Sequence, residues 1–127
     1  MKKPFFTFLL VSFLVAFSSP LFSLDISGNW DMKSASRFSV SIRQQGESAK
    51  GSYSFSGHKG EIVGLIYDGL LVGFWFQDAG PKKCKTLRNG TYYWGTMMLE
   101  FTDTTVQGKD GNCGDAPSSP WTGKKLP

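Results

Sequence analysis

The side chains that most often carry chemistry are few and dispersed in this chain. Its one histidine, His58, lies in the glycine-flanked stretch "SGHKG" (Ser56 to Gly60). General acid–base work needs such a group within hydrogen-bond reach of its target, whereas a histidine in a tight turn is mainly hydrated. Glu61, Asp68, Asp78 and Glu100 fall on different strands and turns, so no spacing pairs two carboxylates. There is no nucleophile motif and no glycine loop opening a helix to cradle phosphate. "GKDGNCGD" (Gly108 to Asp115) is rich in Asp and Gly but lacks the ordered acidic ligands of a calcium loop. Cys84 and Cys113 with a lone histidine cannot complete a four-ligand zinc site. The expectation is a protein that is not an enzyme, with no metal and no cofactor; an enzyme inhibitor ranks with the enzyme, behind simple binding.

The two cysteines read instead as a disulfide. An even count in a small exported domain favours a crosslink. It would close a loop of about 30 residues and stabilise the fold by roughly 3 kcal/mol in the chain-entropy account. Export is read from the N-terminus, where Met1-Lys2-Lys3 precedes the apolar run "FFTFLLVSFLVAF" and the small residues Ser18, Ser19 and Ser23. That order is a secretory signal, and the run falls short of the about 20 residues a bilayer span needs. Residues 1–23 are therefore expected to be a signal peptide and residues 24–127 a single domain. The domain is placed outside the cytoplasm, secreted or periplasmic, and not integral to the membrane after cleavage.

The full chain holds 14 Lys+Arg against 10 Asp+Glu, and cleavage removes Lys2 and Lys3. Lys82, Lys83, Lys85 and Arg88 cluster locally, but a hydrated loop explains them. A nucleic-acid binder carries a stronger basic footprint, so no nucleic-acid partner is expected.

Downstream of the leader the apolar residues alternate with period two and the breaks are Gly, Ser, Asn and Asp, the pattern of short strands and tight turns. Strands are read at Ile26–Met32, Phe38–Arg43, Ala49–Phe55, Glu61–Tyr67, Leu70–Gln77 and Tyr92–Phe101, with a weaker one near Thr104–Lys109 and a closing one at Pro120–Lys124. "QQGES" and "YDG" are hairpin turns; Asp78–Gly90 is the longest loop. The polar outer faces of Phe38–Arg43 and Ala49–Phe55 argue against an outer-membrane barrel, which is apolar outside.

Glycine recurs beside aromatic residues in "GNW", "GSY", "GFW" and "WTG", and Gly28, Gly51, Gly73 and Gly95 stand about 22 residues apart, one hairpin per period. In a narrow barrel the inward side chains compete for one axis, so large and small must alternate. The fold class predicted is all-β: a small up-and-down antiparallel β-barrel of about eight short strands, with glycine vacancies filled by rings from neighbouring strands.

These same residues resemble the small barrels of the calycin type, lipocalins and avidins. "SGNW" resembles their first-strand Gly-x-Trp, and "GSY", "GFW" and "YWGTMMLEF" resemble the avidin run. From Gly28 to Gly123 the chain also resembles exported bacterial proteins with a repeated Gly-x-Trp barrel pattern. The resemblance implies a barrel and a ligand site at its mouth. It does not imply biotin: the two threonines that follow the avidin Gly-x-Tyr are Ser54 and Phe55 here, and Met32 stands where a polar residue is needed.

Two binding modes follow. In one, an apolar small ligand enters the barrel mouth, held by Trp30, Tyr53, Trp75, Tyr93 and Gln77, with Arg88 at the rim as an anion partner. The alternative for those rings is a filled core. In the other, the outer face of Leu70–Gln77 and its neighbour, comprising Val72, Phe74, Phe76, Tyr92, Trp94 and Met98, contacts a partner protein or a second copy of the chain. A disulfide-pinned Asp78–Gly90 loop would instead cover that face.

Overall fold

The computed structural model describes residues 24–55 and 57–127; the expected signal peptide over 1–23 lies outside the described residues. Eight strands form one closed antiparallel barrel in simple chain order: β1 (Gly28–Lys33), β2 (Arg37–Gln45), β3 (Ser48–Phe55), β4 (His58–Tyr67), β5 (Leu70–Gln77), β6 (Tyr93–Phe101), β7 (Thr105–Asp110) and β8 (Ser119–Lys125). Closure is made by β8 on β1, with Met32 opposite Gly123 and Trp30 opposite Lys125. Every strand thereby gains two partners and no ladder edge is left open.

Side-chain alternation selects the inner face. Along β2 Val40 and Ile42 are buried while Ser39, Ser41 and Arg43 are exposed, and β3 buries Ala49, Gly51 and Tyr53 between exposed Lys50, Ser52 and Ser54. The turns follow local chemistry. Asp68 and Gly69 both take positive φ, the conformation a two-residue hairpin of matching twist demands.

One end of the barrel is sealed. Ile26, read as part of the first strand, precedes β1 and acts as a plug; its N–H donates to Gln44 Oε1 at 2.9 Å. Trp30 lies beneath it, donating its indole N–H to the Ile26 carbonyl at 2.9 Å and meeting Phe101 edge-on at 4.9 Å. Ile42, Leu71, Leu99 and Val106 complete this packed half. Burying a side chain of this size contributes about 1.5–3 kcal/mol, so the closed end holds much of the fold's stability.

Of the recurring glycines only Gly95 faces a ring. Gly28 faces Lys125, Gly51 faces Ile62 and Val40, Gly123 faces the Asp31 carbonyl and Val106, and Gly73 faces backbone. Gly60, outside that set, accommodates a second ring. Tyr53 is the cross-strand partner of Gly60, and a Cβ there would overlap the phenol ring. Trp75 is likewise paired with Gly95, where a Cβ would strike the indole. Gly73 instead faces Gly64, and its missing Cβ admits the Val63 carbonyl rather than a ring. The backbones of β4 and β5 approach closely there, which a side chain on either strand would prevent.

Candidate functional site

At the other end the loops 34–36, 78–92 and 111–118 surround an open cup of about 470 Å³. Its walls are Phe38, Phe55, Trp75 and Trp121, and its polar lining includes Tyr53, Gln77 and Asp110. The volume and the mixture of rings with a few polar groups suit a small-molecule site. The interior is therefore packed in one half and hollow in the other.

Each ring is fixed by a neighbour. Phe38 meets Tyr53 at 5.0 Å and Trp121 at 5.4 Å, the latter edge-on. Trp75 donates its indole N–H to the Gly111 carbonyl at 3.1 Å, and Trp121 donates to Met32 Sδ at 2.9 Å. Both indole donors are thus spent on the protein; Trp75 keeps ring surface toward the cup, and Trp121 is packed almost wholly within its wall. Gln77 Nε2 donates to the Tyr53 hydroxyl at 2.9 Å. Burial pushes the Tyr53 hydroxyl up to about 12, the Gln77 hydrogen bond opposing and the nearby Asp110 charge adding to the rise.

Asp110 escaped the sequence reading because β7 was taken to end at Lys109. It is the last residue of β7, inward like Val106 and Gly108, and lines the cup. Its Oδ2 accepts from Ser34 Oγ at 3.0 Å. Among the described residues no Lys, Arg or His nitrogen makes an ion pair with it. Burial raises the Asp110 carboxyl above its ordinary value of 3.8, the Ser34 hydrogen bond offsetting this only in part. A carboxyl raised on folding binds its proton more tightly in the native state than in the unfolded chain. The benefit of that proton is complete below pH 3.8 and disappears as pH climbs through the native value. Asp110→Asn, which keeps an acceptor for Ser34, should therefore raise the melting temperature at pH 7 and leave it unchanged at pH 3. Equal melting temperatures for both proteins at pH 7 would show that the carboxylate is fully hydrated.

Of the residues assigned to the mouth from sequence, Tyr53, Trp75 and Gln77 meet on the cup. Trp30 faces inward but at the sealed end. Tyr93 pairs with Gln77 across the ladder and lies against Gly80, outside the cup lining. Arg88 is not at the rim and cannot serve as an anion partner there. Asn89 and Gly90 adopt positive φ and turn the chain so that Arg88 pairs with Thr91. Its guanidinium then lies 4.9 Å from the ring centres of both Phe74 and Trp94, on the outside of the barrel.

The outer aromatic face is divided in the same way. Trp94 is only 6% exposed; its indole N–H donates to the Thr86 carbonyl at 2.8 Å, under the 78–92 loop. Phe74 and Phe76 are half-buried beside it, and Tyr92 carries Lys83 over its ring at 5.0 Å. The loop is held by the Cys84–Cys113 disulfide, Cα–Cα 5.6 Å, which ties it to the 111–118 segment. What stays open is the neighbouring row Leu65, Val72 and Met98, exposed by 70%, 45% and 47% on directly paired positions. A broader trough of about 1130 Å³ crosses the serine-rich outer side of β2 and β3, but it is shallow, with polar and apolar surface in similar shares. His58 is exposed at the open end, 3.4 Å from Asp78.

Fold and site together define a closed eight-stranded antiparallel barrel with an aromatic cup at one end. Compared with known proteins, the chain matches no family model, no curated sequence and no solved structure.

Proposed function

We propose that the protein is an exported, calycin-like binding module, not an enzyme, that takes a small and largely apolar ligand into the open end of its barrel. The observation that carries this reading is the 470 Å³ cup whose two indoles, Trp75 and Trp121, are immobilised by the protein's own hydrogen bonds. Preformed walls lower the ordering cost of binding. The disulfide supports export, since such crosslinks persist in oxidising compartments.

The neutral fluorescent amine N-phenyl-1-naphthylamine tests it. Binding should be saturable, with one site per chain. Ser36→Trp, which plants a bulky ring at an exposed position on the cup rim, should weaken it at least tenfold while the circular dichroism spectrum stays the same. Probe binding of equal strength in the two proteins, or no saturable binding, would refute the assignment.

A second reading rests on the Leu65–Val72–Met98 row. Contiguous apolar surface of this kind favours association with a protein, here a second copy or a partner on the outer wall beside Trp94. The two readings place contact on opposite surfaces of β5.

A further inference from the structure

The charge on the cup wall is of one sign. Among the described residues that line it, Asp110 is the only one with a formal charge at neutral pH, and no described Lys, Arg or His shares the wall. The rest is ring surface, together with small polar groups and backbone at the rim. Gln77 donates one of its two Nε2 hydrogens to the Tyr53 hydroxyl, which leaves its amide oxygen as an acceptor and its second N–H and the Tyr53 O–H as neutral donors. With both indole N–H groups already bonded to the protein, the cup offers an anion only neutral donors and, among the described lining residues, no positive charge.

A half-buried carboxylate without a cation partner is a cost to the fold, and such groups concentrate where a ligand completes them. Aromatic faces beside it add attraction for the same sign of charge, since a ring's π face is negative. A bare metal ion is a poor fit, because hard cations need several oxygen ligands and only one carboxylate lines the cup among the described residues. From this juxtaposition we infer that the ligand class is a small organic cation: a protonated amine on an apolar or aromatic body, its ammonium on Asp110 and its body among Phe38, Phe55, Trp75 and Trp121. This rests on the mouth-binding reading and narrows it.

Three probes of matched size test the inference by calorimetry at neutral pH: 2-phenylethylamine (cationic), 2-phenylethanol (neutral) and 3-phenylpropanoate (anionic). The wild-type protein should bind the amine at least tenfold more tightly than the alcohol, with the carboxylate weakest. In Asp110→Asn the amine-to-alcohol ratio should fall to near one. The wild-type comparison stands without any variant, so a misfolded Asp110→Asn would not rescue a failed ratio. If wild type binds alcohol and amine equally and Ser36→Trp loses both, the cation inference falls and the mouth reading survives. If Ser36→Trp keeps the amine preference, the amine sits elsewhere and the inference falls. Absence of binding by all three would remove both.

Discussion

Trp121→Ala should cost the fold about 3–5 kcal/mol, the range for truncating a large buried ring. Trp121 is 2% exposed, its indole N–H is bonded to Met32 Sδ, and Phe38 leans on it edge-on. On its strand it stands opposite Gly108, whose missing Cβ admits the Met98 carbonyl and Leu99 of the neighbouring strand. Alanine would therefore leave a vacancy that neither neighbour can fill. The void opens toward the cup, where water can enter, so the loss should fall toward the low end of that range. Small domains have about 5–15 kcal/mol in total, and each kcal/mol is worth roughly 4–8 °C at this size. A fall in melting temperature of more than about 10 °C is expected, with Trp121→Phe losing less. A shift below about 2 °C would mean that the indole is not packed as described.

The second large effect is expected from the crosslink. Cys84→Ser with Cys113→Ser should remove about 3 kcal/mol, the loop-closure entropy released when residues 29 apart in sequence are no longer tied. The damage should also be local. Without the tie the 78–92 loop no longer holds Arg88 against Phe74 and Trp94, nor the Thr86 carbonyl against the Trp94 indole. Tryptophan emission should shift to the red as Trp94 becomes wet. Pro81 and Asn112 line the cup from the two tethered segments, so the naphthylamine probe should bind more weakly as well. Identical urea midpoints for the oxidised protein and the double variant would contradict the structural role assigned to the bond.

The barrel was legible in the sequence because period-two alternation reports which face a residue occupies, and Gly-rich breaks report where the chain turns. Tyr53 and Trp75 point inward on that basis, whereas the glycine each ring meets, Gly60 or Gly95, is set by the register between strands. Alternation does not report height along the axis, which depends on the stagger between strands. Trp30 and Trp75 both point inward, yet one is sealed beneath Ile26 and the other lines the open cup. Loops carry no periodicity at all. Asn89-Gly90 was the available signal for a tight turn inside the Asp78–Gly90 segment, and that turn is what swings Arg88 onto the outer wall and buries Trp94. Asp110 was hidden for a related reason. It sits where a weakly apolar strand gives way to a glycine-rich loop, and only its ladder pairing with Ser119 and Met97 turns it toward the interior.

The four indole N–H groups make the most direct test of the central claim, that the hollow end of the barrel is where this protein binds. Trp75 and Trp121 border the cup, Trp30 lies at the sealed end and Trp94 on the outer wall. In a ¹H–¹⁵N correlation spectrum titrated with N-phenyl-1-naphthylamine, the account predicts that the Trp75 and Trp121 indole signals move together and saturate while those of Trp30 and Trp94 hold still. Movement confined to Trp94, or to none of the four, would contradict it.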